Sequence, residues 1–104
     1  MESPGPFSWY PERFEREMGC TEDELLRWLP GALEGAPLAL EPGRACARLG
    51  GGELRLSWQV LAPRRIALLT MPRLAIAFAF EGLSETERQR VMRRFDLYTQ
   101  RGGG

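Results

Sequence analysis

Two stretches in the second half of this chain alternate with period two, and they restrict the fold more than any other feature. From Glu53 to Leu61, Leu54, Leu56, Trp58 and Val60 face one way, and Glu53, Arg55, Ser57 and Gln59 face the other. From Ile66 to Phe80 the even positions hold Ile66, Leu68, Thr70, Pro72, Leu74, Ile76, Phe78 and Phe80. The odd positions hold Ala67, Leu69, Met71, Arg73, Ala75, Ala77 and Ala79. Successive side chains of a strand point to opposite faces, so each stretch predicts a strand with one bulky apolar face. Pro72 cannot donate to a ladder and marks an edge, a bulge or a break in a long, bent strand.

Turn and cap signals divide the rest. Gly50-Gly51-Gly52 and Ala62-Pro63-Arg64-Arg65 read as turns, with a further strand at Arg44 to Leu49. Residues 31–43 read as a loop rich in Gly and Pro, with a short extended piece at Leu38 to Leu40 as an optional fourth strand. Thr21-Glu22-Asp23-Glu24 and Ser84-Glu85-Thr86-Glu87 are capping boxes, each opening a helix. The first helix buries Leu25, Leu26, Trp28 and Leu29 and stops at Pro30-Gly31. The second carries Val91, Met92, Phe95 and Tyr98 on one stripe, with Arg88, Arg90, Arg93 and Arg94 mostly on the other side, and ends at Arg101-Gly102. Pro11 suits the first position of another short helix running to Met18.

The expected fold is therefore α+β: N-terminal helix or helices, a three-stranded antiparallel meander with the optional fourth strand, and a C-terminal helix packed on one sheet face. Residues 1–20 form an arm containing Pro4, Pro6, Phe7, Trp9 and Tyr10. Residues 21–101 form a single domain, and 102–104 a glycine tail. At 104 residues one domain with one core is the natural size.

Register sharpens the sheet. Placing Trp58 opposite Leu68 keeps the apolar groups together and sets Glu53 opposite Arg73 on the outer face. Ala45, Ala47 and Leu49 then join the core. The outer face holds Arg44, Arg48, Arg55 and Arg73, with Glu53, Ser57 and Gln59. These four arginines are the candidate binding residues.

Composition narrows the chemistry. All 14 basic side chains are Arg, with no Lys and no His, so there is no imidazole for proton transfer and no amine for a Schiff base. Absent Asn and scarce Ile point the same way as absent Lys, towards a GC-rich, bacterial codon usage. Net charge is zero, but residues 1–52 balance to −4 and residues 53–104 to +4, so the halves attract each other within one fold. The start of the chain lacks the pattern of a signal peptide. No apolar stretch approaches the about 18 residues of a membrane span. A cytoplasmic protein with Cys20 and Cys46 as free thiols is expected.

No motif assembles a catalytic site. Cys20 lies just before a helix N-terminus, where a thiolate is favoured, but no His or Lys can assist it. The Cys spacing fits no zinc site, Glu22, Asp23 and Glu24 suit a helix start, and Gly50 to Gly52 lack the Lys and helix of a phosphate loop. No catalytic residue, metal or cofactor is expected. The tail Arg101-Gly102-Gly103-Gly104 resembles the diglycine end of ubiquitin-like modifiers and sulfur carriers. Those folds begin with a β-hairpin and place a strand before the diglycine. A helix precedes it here, and a helix stop is the favoured reading.

An Arg-rich sheet face suits an anion or a nucleic acid, but sheet-type RNA binders stack bases on aromatic side chains, and Trp58, Phe78 and Phe80 all fall on the other face. The alanine column of Ala67, Ala75, Ala77 and Ala79 admits close approach of a second surface. The expectation is thus a small non-catalytic interaction module with a protein partner, or itself as a homodimer, and no membrane. The alternative is an anion- or nucleic-acid-binding domain. A diglycine-ended carrier ranks behind both.

Overall fold

The computed structural model describes residues 10–100. In chain order the elements are β1 (Arg13–Met18), α1 (Glu22–Ala32), β2 (Leu38–Glu41), β3 (Arg44–Leu49), β4 (Gly52–Ile66), β5 (Leu69–Glu81) and α2 (Glu85–Gln100). All the strands join one antiparallel sheet of five, ordered β1-β5-β4-β3-β2. The expected three-stranded meander is thus corrected to a larger sheet. Leu38–Glu41 is a full strand on β3, and the N-terminal segment supplies an edge strand. Phe7 and Trp9 of the expected arm, and the 102–104 tail, lie outside the described residues.

The short helix expected over Pro11 to Met18 is strand β1. Its alternation puts Phe14, Arg16 and Met18 on the core side and Arg13, Glu15 and Glu17 on the other, each opposite a residue of β5 from Met18↔Leu74 to Arg13↔Ala79. Six residues of mixed polarity fit either period. Tertiary context decides: β5 offers an unpaired edge, and the Phe14 ring stacks on Phe78 with centroids 4.7 Å apart. Phe78 in turn meets Phe95 of α2 edge-on at 5.4 Å. One aromatic column therefore ties edge strand, sheet and helix together.

The hairpin between β4 and β5 turns later than expected. Its ladder closes at Ile66↔Leu69, so the turn is Ala67-Leu68, and Arg64-Arg65 continue the strand. Trp58 lies opposite Ile76 rather than Leu68, and Glu53 opposite Glu81 rather than Arg73. Packing explains the correction. The expected register would run Phe78 and Phe80 past the end of β4, whereas the observed one sets them against Leu56 and Leu54, all four buried. A β-bulge between Leu61 and Arg64 absorbs Ala62 and Pro63, and Pro72 lies opposite it, where the ladder is interrupted.

Both helices cover the same sheet face. Leu25, Leu29 and Ala32 of α1 and Met92 and Phe95 of α2 join Leu54, Leu56, Leu74, Ile76, Phe78 and Phe80 in one core. The Thr21 capping box is complete, with Glu24 N–H donating to Thr21 Oγ1 at 3.1 Å and Thr21 N–H to Glu24 Oε1 at 2.8 Å. The Ser84–Glu87 box matches it. Helix α1 runs through Pro30 to Ala32, slightly past the expected stop. A proline so near the helix end forfeits one hydrogen bond, and burial of Leu29, Ala32 and Leu33 offsets that. The indole N–H of Trp58 donates to Glu22 Oε2 at 2.6 Å, fastening α1 to β4.

Candidate interaction face

Among the described residues no helix packs on the opposite sheet face. Strand pairing lays its residues out in rows. Ala39, Cys46, Arg55, Ala79 and Arg13 form one row, and Glu41, Arg44, Ser57, Ala77 and Glu15 the next. On one side of these lie Arg48, Glu53 and Glu81. On the other lie Gln59, Ala75 and Glu17, then Leu61 and Arg73. All four candidate arginines do face outwards. The reason is arithmetic: Ile76 lies an even number of residues beyond Leu68, and an even slip leaves every side chain on its face.

Sharing a face does not make one site. Arg44 and Arg55 line a shallow hollow of about 390 Å³ floored by Ala39, Cys46, Ser57, Ala77 and Ala79. Arg73 sits beyond it, opposite Leu61. Carboxylates neutralise most of the cations, and of these the sequence had placed only Glu53 here, not Glu17, Glu41 or Glu81. Glu17 accepts from Arg73 Nε at 2.8 Å and Nη2 at 3.0 Å, and Arg64 lies 3.6 Å away. Arg44 pairs with Glu41 at 3.0 Å, and Arg55 with Glu53 and, at 3.8 Å, Glu81. The hydrogen bond from Arg73 holds the Glu17 carboxyl below its usual range, and the bond to Glu53 raises Arg55. The expected Glu53–Arg73 pair does not form. With Arg13, Arg44, Arg48, Arg55, Arg64 and Arg73 set against Glu15, Glu17, Glu41, Glu53 and Glu81, the face is close to balanced in charge, with one cation in excess.

The sequence reading also missed the β4–β5 ribbon. Ile66, Leu68, Leu69 and Met71 are exposed on it, Leu68 completely. The signal was there: large apolar residues occupy both parities between Ile66 and Met71, which no half-buried strand requires. On the core side, Arg16 donates to Asp96 Oδ1 at 2.7 Å, and the Tyr10 hydroxyl to Asp96 Oδ2 at 2.5 Å. The Arg16 guanidinium lies over the Phe78 ring at 5.3 Å. Arg88, expected on the polar side of its helix, is buried and donates to the carbonyls of Tyr10 and Leu83.

The thiols are not poised for catalysis. Burial, aided by the Glu24 charge, pushes Cys20 up to about 11, outweighing its place before a helix. Burial and then Glu53 raise Cys46 on the hollow floor. Among the described residues no group of His, Cys, Asp or Glu could hold a metal ion, and no helix is long and apolar enough to cross a membrane. Comparison with protein-family models, with curated proteins and with solved structures finds no match for the chain.

Proposed function

We propose that this chain is a small non-catalytic interaction module that binds a protein through the outer face of its sheet. One observation carries the reading: both helices pack on the same side, and among the described residues nothing covers the other face of the five strands, with its floor of Ala, Ser and Cys. Small side chains let another backbone come close, and internally paired charges lower the cost of withdrawing the face from water. A cytoplasmic setting belongs to the same reading, with Cys20 and Cys46 kept reduced.

A photo-crosslinking residue at exposed Ser57 tests it, with the same probe at exposed Arg93 on α2 as control. In extract of the native host, Ser57 should give a discrete protein adduct that unlabelled protein competes away and an Ala77→Arg variant does not. No adduct from Ser57, or equal adducts from both positions, would sink the proposal. Salt-dependent retention on heparin that an Arg48→Ala/Arg55→Ala double variant abolishes would install the anion-binding alternative in its place.

A further inference from the structure

The β4–β5 ribbon beyond Arg73 reaches past the sheet. Four of the seven large apolar side chains exposed among the described residues, Ile66, Leu68, Leu69 and Met71, lie on it, the others being Leu40, Val60 and Leu97. A two-stranded ribbon alone is marginal in water, and clustered exposed apolar side chains mark contact surfaces. Its pairs Arg64↔Met71 and Ile66↔Leu69 put Ile66, Leu69 and Met71 on one side. The unbroken alternation of β5 makes that the outer side, shared with Ala75, Ala77 and Ala79. One face thus has a bulky end and a small-residue floor.

We propose that the partner on this face is a second copy of the chain, packed face to face about a two-fold axis. The Ile66, Leu69 and Met71 cluster of each copy lies on the Ala75–Ala79 floor of the other. The proposal rests on the outer face being a contact surface and names what covers it. Bulk and floor lie at opposite ends of β5, so laying two β5 strands antiparallel sets Met71 across from Ala77 and Leu69 across from Ala79, in both directions at once. That reciprocity is what an isologous interface requires. Charge favours the same partner. With its six arginines largely paired to five glutamates the face repels its copy little, whereas the glutamates would be pressed against phosphates on an anionic membrane or a nucleic acid. Area suffices too. Strands about 4.8 Å apart and about six residues long give roughly 480 Å² of sheet, and the ribbon adds about 200 Å². The sum is comparable to the about 800 Å² per partner of a standard interface.

Analytical ultracentrifugation of the full chain tests the proposal. Wild type should sediment as a dimer at about 100 µM. Leu69→Asp or Met71→Asp, which remove exposed side chains, and Ala77→Arg on the floor should each weaken the dimer at least about tenfold. Mixing Met71→Asp with Ala77→Arg should restore a heterodimer, because Asp then meets Arg across the interface. Near-UV circular dichroism confirms that each variant is folded, and should Ala77→Arg fail to fold, the ribbon variants carry the test. A monomeric wild type overturns the proposal. So does a dimer indifferent to the ribbon variants, a mixture of folded variants that stays monomeric, or a monomer that floats with phosphatidylglycerol vesicles. A monomer whose Ser57 probe still captures a different protein defeats the second copy alone. Loss of both the dimer and the adduct defeats the contact face as well.

Discussion

Asp96 holds two partners that lie far from it along the chain, the Arg16 guanidinium and the Tyr10 hydroxyl. The Arg16 and Asp96 side chains are 26% and 21% exposed, so neither charge is well hydrated without the other. Asp96→Asn should therefore cost about 2 kcal/mol, read as a lower urea midpoint with an unchanged slope. Nothing in the linear sequence joined these residues, because Pro11 had suggested a short helix where Arg16 lies on an edge strand. Cys20 makes a second prediction. Burial, then the Glu24 charge, raises its thiol from 9.0 to about 11, so the folded state holds the proton more tightly than the unfolded chain. That stability is fully present below pH 9.0 and is lost as pH rises towards about 11. Tyr10, raised by burial and by Asp96, acts in the same direction at higher pH. Between about pH 8 and about pH 10.5, Cys20→Ala should lose less stability than wild type by on the order of 2 kcal/mol in denaturant titrations.

At the level of elements, local chemistry was the most readable part of the sequence. Both capping boxes form as their spacing implied, and Thr21→Ala should destabilise the protein by about 1 kcal/mol in the same titrations. The strands were legible wherever one face is buried and bulky, as from Leu54 to Trp58 and from Leu74 to Phe80. Pairing was not legible. Alternation fixes which face a side chain takes but leaves even slips free, and only the burial of Phe78 and Phe80 selects the observed ladder. Strand β1 was hidden for a related reason. Arg13–Met18 covers so few residues that its period is ambiguous, and the edge it needs on β5 arises only once the hairpin has formed. So the candidate arginines were placed on the correct face, while Glu17 and Glu41 were missed as partners and Glu53 was matched to Arg73 instead of Arg55.

For the molecule as a whole, the opposed charges of the two halves become specific pairs. Glu12, Glu17 and Glu34 from the first half meet Arg88, Arg73 and Arg94 from the second. Each exposed pair contributes little, at most about 1 kcal/mol, so they orient the halves more than they stabilise them. Their mutual cancellation leaves a chain of zero net charge with an apolar projection, a combination that favours association in concentrated solution. Leu68→Asp should raise the concentration at which light scattering appears near neutral pH, with no change in the urea midpoint, because the side chain touches no core.

The place of β1 has a consequence for synthesis. This strand leaves the ribosome before the other four, yet its partner, Leu74 to Ala79, follows about 60 residues later. Through that interval Arg13–Met18 has no partner strand to pair with, and its charges at Arg13, Glu15, Arg16 and Glu17 are what such a segment needs to stay soluble. The meander from β2 to β5 can pair within itself as it emerges, since each strand follows its neighbour. The first-made strand is thus the last to dock, and the nascent chain carries its own protection while it waits.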